Sequence, residues 1–470
     1  MRSTSTTPSL LTNNRRRKRG GSDNRLISIQ SLVLYGLVAI LVLYTMGFWI
    51  IVRKEKGENR TEVVRDEYDH VAANHLGADE QERERAPIRV DHDGKPVGVT
   101  IGWAVTITGC GSDPITEGAA VLKHSIHLTS IHGNMGGRYD YKMYAIYHPE
   151  GIKCAKTLED LGFTLVERET FVKVEDIKGE FLRSKIHANG CCGERELVKL
   201  EAYTLTDHPV VVHMDLDTVV LNPMDELFDW MTAQPSDTPY DASGIALQWP
   251  DKEIPKKVNA FFTRDYNMVP PTREVKPVQG GFLVLRPDMA VYNELREIVR
   301  EGNFQEGKGW GGVGGLFYGA MTFQGIIPYY YDILHPGEAV ELSRCVYNQM
   351  ADNPKDKKTV DDVPQGRCRT NEEECEDCRN RSIEEIATAH FTLCQKPWLC
   401  LPQDHDIIQQ RLCRKLHHEW HRIRADLEES WGRSKMGSGP FHQDHFFGHC
   451  NRYGQSGYIP IEEPYGMASK

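Results

Sequence analysis

The stretch Pro209–Met214, PVVVHM, is almost wholly apolar and does not alternate with polar positions. Strands of that kind are buried on both faces, as in a parallel sheet covered by helices. It runs directly into Asp215-Leu216-Asp217. Carboxylates are costly beside apolar surroundings unless something compensates them. Residues two apart in extended chain point the same way, so both Asp215 and Asp217 can face one ion. In parallel sheets ligands bind beyond the carboxyl ends of the strands, which is where these acids fall. Carboxylates suit hard divalent cations such as Mn²⁺ or Mg²⁺ that keep sites open for phosphate oxygens. Asp-x-Asp is also common by chance, and the triplet alone does not separate an ion site from two solvated surface acids.

The surrounding pattern supports the parallel sheet. VGVTIGWAVTITG (97–109) reads as a strand, ITEGAAVLKHSIHLTSI (115–131) as a helix and YDYKMYAIYH (139–148) as a second strand. ERELVKLEAYTLT (194–206) is predicted helical and leads into PVVVHM; VQGGFLVLRP (278–287) predicts a strand and DMAVYNELREIVRE (288–301) a helix. Alternating strands and helices imply a mostly parallel sheet with helices on both faces. GWGGVGG (309–315) is expected to be an irregular loop, and the polar segment 351–381, with three cysteines, an insertion tied by disulfides. Residues 403–431 predict a partly exposed helix, followed by a Gly-, His- and aromatic-rich tail; 401–470 thus form a C-terminal helix and tail.

Residues 26–52 carry no charge and could cross a hydrocarbon core of roughly 30 Å. The run exceeds a signal-peptide core and ends in GFWIIVRKEK, with no small-residue cleavage site. Arg15–Arg19 and Arg25 precede it, so residues 1–25 are expected to form a cytoplasmic, disordered basic tail below a single-pass type II anchor. Residues 53–96 are charged and poor in large apolar side chains, which predicts a stem. All 12 cysteines follow the anchor, as do the glycosylation acceptors Asn59-Arg60-Thr61 and Asn380-Arg381-Ser382, in keeping with a luminal body. The tail carries +6, leaving −17 of the net −11 on the remainder, a poor match for nucleic acid.

The string KLEAYTLTDHPVVVHMDLDTVVLNPMDELF (199–228) resembles the retaining glycosyltransferase family that includes glycogenin, family eight of the GT-A fold. The likeness continues in order through GAAVLKHSI (118–126), VQGGFLVLRPDMAVYNEL and HFTLCQKPW (390–398), covering residues 97–400. It implies a Rossmann-like GT-A domain in a Golgi membrane protein, transferring a hexose or pentose from a nucleotide sugar, UDP being usual, to a glycan or glycoprotein hydroxyl. By position, Asp215, Asp217 and His390 would bind Mn²⁺, with Mg²⁺ as the alternative hard cation. Lys199, Leu216, Gln279, Gly280, Gly281 and Lys396 would line the donor. No base or nucleophile is assigned.

Several positions depart from that family. Val313 and Gly314 stand where an Asp-Gln pair is common, Leu393 replaces a glycine of the closing motif, and Ile115 takes the place of a base-stacking tyrosine. The cysteines 368, 375, 378, 394 and 400 lie outside the pattern and are read as disulfide-forming, with zinc as the other option for Cys375-x-x-Cys378. Two other functions compete. The Val313 and Gly314 departure suits a catalytically silent, membrane-tethered carbohydrate-binding protein. DLDTV also satisfies a haloacid dehalogenase-type phosphatase signature, but about 115 residues of the body precede it and its second acidic pair would be Asp361-Asp362 in a polar loop.

Overall fold

Eleven strands occur among the described residues: β1 (Thr100–Ile107), β2 (Asp140–Tyr147), β3 (Thr164–Glu167), β4 (Val211–Met214), β5 (Thr218–Val220), β6 (Ala260–Arg264), β7 (Val278–Leu285), β8 (Phe304–Gln305), β9 (Gly309–Trp310), β10 (Ala339–Glu341) and β11 (Thr388–His390). Seven form one sheet in the order β10-β6-β7-β4-β1-β2-β3. The computed structural model describes residues 97–111, 114–233, 244–355, 366–400, 411–433, 446, 448–450 and 457–461. The expected tail, anchor and stem (1–25, 26–52, 53–96), Asn59 and Asp361-Asp362 lie outside them. Among the described residues no helix is long and apolar enough to cross a membrane.

The helices are α1 (Ile115–Leu128), α2 (Ile152–Asp160), α3 (Glu180–Lys185), α4 (Asp225–Thr232), α5 (Met289–Glu301), α6 (Phe323–Pro328) and α7 (Arg411–Ser430). Side-chain alternation sorts the sheet into two cores. Ile101, Trp103 and Val105 of β1, Val212 and Met214 of β4, and Phe282 and Val284 of β7 join Ala120 of α1, Leu227 of α4 and Leu416 of α7 on one face. Ala104, Val211, Leu283 and Leu285 face the other way, against Leu200, Leu295 of α5 and Phe323 of α6. A strand with burial on both faces has to be apolar throughout, hence PVVVHM.

The sheet is mostly parallel: β1 pairs in parallel with β2 and β4, β2 with β3, and β6 with β10. β7 is the exception, antiparallel to both β4 and β6. All eight of its residues are buried, so its sequence holds no directional signal. The connection from β6, residues 265–277, holds one 3₁₀ turn (Tyr266–Met268) and no α-helix to carry the chain back across the sheet, in keeping with an antiparallel neighbour. The predicted helix at 194–206 forms over Gly193–Thr204, wound in the tighter 3₁₀ manner. In that winding residues three apart share an edge, which puts Glu196 and Lys199 on one line.

Contrary to expectation, GWGGVGG is not loop throughout: Gly309–Trp310 form β9, paired antiparallel with β8, and the loop proper begins at Gly311. Gly309, Gly311, Gly312 and Gly315 all have positive φ, between 58° and 82°, so the segment needs glycine at those positions. Trp310 anchors it, fully buried, with its indole N–H donating to the Ala320 carbonyl at 2.9 Å.

Five disulfides cross-link the fold, three of them with both cysteines buried: Cys110–Cys154, Cys345–Cys378, Cys368–Cys375, Cys394–Cys413 and Cys400–Cys450. Cys375 and Cys378 thus take different partners, which removes the zinc option for that pair. The expected partly exposed C-terminal helix is α7, and its inner face is buried more deeply than expected. Trp420, His417, His421 and Arg424 are all fully buried. Arg424 lies 3.7 Å from Glu117 of α1 and 3.5 Å from Glu428, while the Ile461 backbone N–H donates to Glu117 at 2.9 Å. The polar spacing of α7 reads as solvent-facing only because its partners, Glu117, Phe446, His449 and Tyr458, are distant in sequence.

His417 gives this packing a pH dependence. Burial lowers its pKa from 6.5 to about 4, against the Gln395 carbonyl that it contacts at 2.6 Å. The folded value lies below the unfolded one, so the unfolded chain binds more protons and stability falls as pH drops from about 6.5 towards 4. Urea midpoints should therefore fall between pH 7 and pH 5. His417→Gln should lessen that fall by roughly 2 kcal/mol; an unchanged fall would refute the assignment.

Candidate metal and donor site

The strand order 3-2-1-4 reverses between β1 and β4, since the chain leaves these neighbours towards opposite edges of the sheet. In open α/β sheets ligands bind beyond the carboxyl ends of the strands at such a reversal. Because β7 is antiparallel to β4, its first residues lie against the end of β4, and the ladder continues past the strand as Asp215 N–H donates to the Gly281 carbonyl at 3.2 Å. This puts Gln279, Gly280 and Gly281 beside Asp215 although 64 positions separate Asp215 from Gln279. A second ladder completes the site. β11 runs antiparallel to β5 with His390 opposite Thr218, and Phe391 N–H donates to the Asp217 carbonyl at 2.9 Å.

Asp215, Asp217 and His390 consequently converge, with one ligand atom from each lying within 4.8 Å of the others. His390 Nε2 is 3.3 Å from Asp217 Oδ1 and 4.0 Å from Asp215 Oδ2. Hydrogen bonds behind the ring fix its tautomer. The Gly281 backbone N–H can only donate, so the Gln279 side-chain atom 2.6 Å away is an acceptor oxygen. That oxygen also takes the Asn348 amide N–H at 3.1 Å, which leaves Asn348 Oδ1 facing His390 Nδ1 at 3.0 Å. Nδ1 must therefore donate. Burial lowers the His390 pKa to about 4, so the ring is neutral and its Nε2 lone pair points at two carboxylates. Lone pair against anions is repulsive unless a cation lies among them. Two carboxylates and one neutral imidazole form a donor set that fits Mn²⁺.

Glycine makes room for this ring. A Cβ on Gly281 would lie 2.3 Å from His390 Cε1, whereas one on Gly280 would meet nothing closer than 3.4 Å. Across the site, Gly118 of α1 sits so near the Asp-Leu-Asp backbone that a Cβ would lie 2.2 Å from the Leu216 carbonyl oxygen.

Two lysines balance the acids. Lys199, buried, donates to Asp215 Oδ1 at 2.8 Å and to the Gly280 carbonyl at 2.9 Å. Burial opposes the Asp215 charge, but the Lys199 ammonium outweighs it, and the Asp215 pKa is lowered. Burial likewise opposes the charge on Lys199, yet Asp215 and Glu196 hold its pKa above the ordinary value. Lys396 binds Asp217 from the opposite side, with 34% of its side chain exposed. Beneath the acids lies His213. Its Nε2 is 2.8 Å from the Thr106 hydroxyl and its buried Nδ1 has no hydrogen-bond partner. Burial lowers its pKa to about 3, so it is a neutral floor.

Of the residues singled out in sequence, Asp215, Asp217, His390, Lys199, Lys396, Gly280 and Gly281 therefore surround one space. Gln279 is there too, but its amide oxygen is used internally, on Gly281 and Asn348. The Leu216 side chain turns away and packs on the core. Val313 and Leu393 are exposed, at 52% and 53%. Sequence reasoning missed Asn348, Glu196 and His213. Asn348 has φ 61°, a conformation asparagine tolerates, but nothing in VYNQM marks it. Glu196 had one available signal, its spacing of three from Lys199; its carboxylate accepts from the Thr322 hydroxyl at 2.6 Å.

No protein-family model matches the chain, and no curated protein matches it in sequence. Among solved structures it is similar to the WbbM bifunctional glycosyltransferase, with a TM-score of 0.38 and 13% identity over 72% of this chain and 52% of that one. The chain thus spans about half the length of WbbM. It is also similar to mouse xyloside xylosyltransferase 1 (TM-score 0.34, 12% identity, 53% of this chain and 87% of that one). A third similar structure is the galactosyltransferase LgtC in complex with donor and acceptor sugar analogues (TM-score 0.34, 10% identity, 72% of this chain and 98% of that one).

Gly281→Ala must push the imidazole out of line, and Asn348→Ala removes the acceptor that orients it. Each should weaken Mn²⁺ binding about 10- to 100-fold, read by calorimetry or by the Mn²⁺-dependent rise in unfolding temperature. Gly280→Ala should cost clearly less. Equal losses for the two glycine variants would contradict the geometry.

Proposed function

We propose that the chain is a metal-dependent retaining glycosyltransferase. It moves a hexose or pentose from a nucleotide sugar, with UDP as the base-bearing group, to a hydroxyl of a glycan, glycoprotein or other acceptor. One observation carries this: a neutral imidazole, fixed by a backbone-anchored relay, aims its lone pair at two aspartates where the sheet opens. Asp215, Asp217 and His390 would hold Mn²⁺, or Mg²⁺ in its place. A divalent ion there supplies positive charge against a diphosphate as it departs. The ordered sequence motifs supply the family, the GT-A assignment and the choice of a sugar nucleotide.

The residues then divide the work. Lys396, partly exposed on Asp217, can swing to a phosphate oxygen and stabilise the leaving group. Lys199 is held between Asp215 and the Gly280 carbonyl, so it fixes the Asp215 carboxylate and adds charge at the donor's edge. Asp215, with Glu196 adding to it, keeps Lys199 protonated against its burial. With no nucleophile assigned, transfer with retention proceeds on the front side, the departing phosphate helping to take the acceptor proton. The body lies in the Golgi lumen behind a type II anchor; Asn380 and Ser382 of one glycosylation acceptor are exposed, as that placement requires.

Purified protein should hydrolyse a UDP-sugar slowly with Mn²⁺ and not after chelation. Asp217→Ala should reduce the rate by at least about 100-fold. Binding without hydrolysis for every nucleotide sugar would indicate a silent carbohydrate-binding protein, and preference for simple phosphoesters a phosphatase. Either result defeats the proposal.

A further inference from the structure

Ten of the 12 cysteines are joined in the five disulfides, and the two left over are neighbours, Cys191 and Cys192. They sit in Asn189-Gly190-Cys191-Cys192-Gly193, where Gly190 and Gly193 have φ +67° and +60°. A Cβ on Gly193 would lie 2.6 Å from the His187 carbonyl oxygen, so the bend is closely packed and needs its glycine. The bend sets the two thiols side by side on neighbouring residues. The interaction between them is the largest influence on both groups. Helped by Thr108 and opposed by burial, it lowers the Cys192 pKa to about 6 and raises that of Cys191. Cys192 is the thiolate of the pair and Cys191 the proton-bearing partner; Cys191 is exposed and Cys192 partly so.

Their position gives the pair a consequence. Gly193 opens the 3₁₀ helix that carries Glu196 and Lys199, and the charges of both reach the thiols. Adjacent Cα atoms stand about 3.8 Å apart. An unstrained disulfide prefers about 4.4–6.8 Å. A bond between neighbours therefore closes a strained ring that is more easily reduced than the other five.

We propose that Cys191 and Cys192 are a redox-modification site that closes reversibly to a vicinal disulfide by exchange with a low-molecular-weight disulfide such as oxidised glutathione. The Cys192 thiolate attacks one sulfur of that molecule, forming a mixed disulfide and expelling one thiolate. Cys191 then loses its proton and attacks the Cys192 sulfur, expelling the second. Both cysteines are oxidised, and the small disulfide is reduced to two thiols. The site does not depend on the sugar-transfer assignment.

The test equilibrates the purified full chain in glutathione buffers of graded oxidised-to-reduced ratio, with acid quenching, maleimide alkylation and peptide mapping. In oxidising buffers the peptide spanning 191–192 should carry no maleimide and be two hydrogens lighter than its reduced form. It should become doubly alkylated at a ratio that leaves the other five pairs closed. Cys191→Ser should trap glutathione on Cys192, because the second attack is lost. The proposal is overturned if both thiols alkylate at every ratio. It is equally overturned if the unaltered chain accumulates glutathione on Cys192, or if the pair opens only together with the other disulfides.

Discussion

A single backbone N–H, that of Gly281, fixes the chemistry of the site. It can only donate, and this polarity passes through Gln279 and Asn348 to His390, whose Nδ1 is left as the donor. Each link is buried, where a mismatched donor or acceptor costs about 1–3 kcal/mol. The relay therefore holds one tautomer. Its outcome is an Nε2 lone pair directed at Asp215 and Asp217, which is stable beside them only around a cation.

The relay depends on the reversal of β7. Were β7 parallel to β4, its opening Gln279-Gly280-Gly281 would lie at the far end of the sheet from the acids. Antiparallel, it brings the beginning of one strand to the end of another, and the Gly281 carbonyl receives the Asp215 amide. Glycine at 281 is then required twice, as the relay's donor and as the gap filled by the imidazole. Lys199 and Lys396 bracket the acids, one buried and fixed, the other at the surface.

The C-terminal segment braces the same site from behind. Arg424 is fully buried between Glu117 and Glu428, and Glu117 also receives Tyr458 and the Ile461 amide. A buried ion cluster adds little net stability beside an apolar core, but losing one member strands the others. Glu117 precedes Gly118, which touches the Asp-Leu-Asp backbone, so Tyr458 and Ile461 bind one residue away from the wall of the candidate metal site. Disulfides from Cys394 and Cys400 pin this segment on either side of Lys396.

The sequence by itself determined the two-faced burial of PVVVHM, the run of strands and helices, most of the glycine loop at 309–315, and the residue types at 215, 217, 390, 199 and 396. These are local properties: apolar periodicity, carboxylate spacing, and motif order along the chain. Only the tertiary structure decided the direction of β7, since a strand buried at every position carries no polar mark of its neighbours. It alone revealed the depth of α7, whose charged and histidine residues look solvent-facing until Glu117 and the tail supply partners. Asn348 was illegible, Glu196 showed only its spacing from Lys199, and Cys191 and Cys192 only their adjacency. Their roles arise from hydrogen bonds or fields between segments, and a donor or acceptor acquires meaning only when the atom opposite it is known.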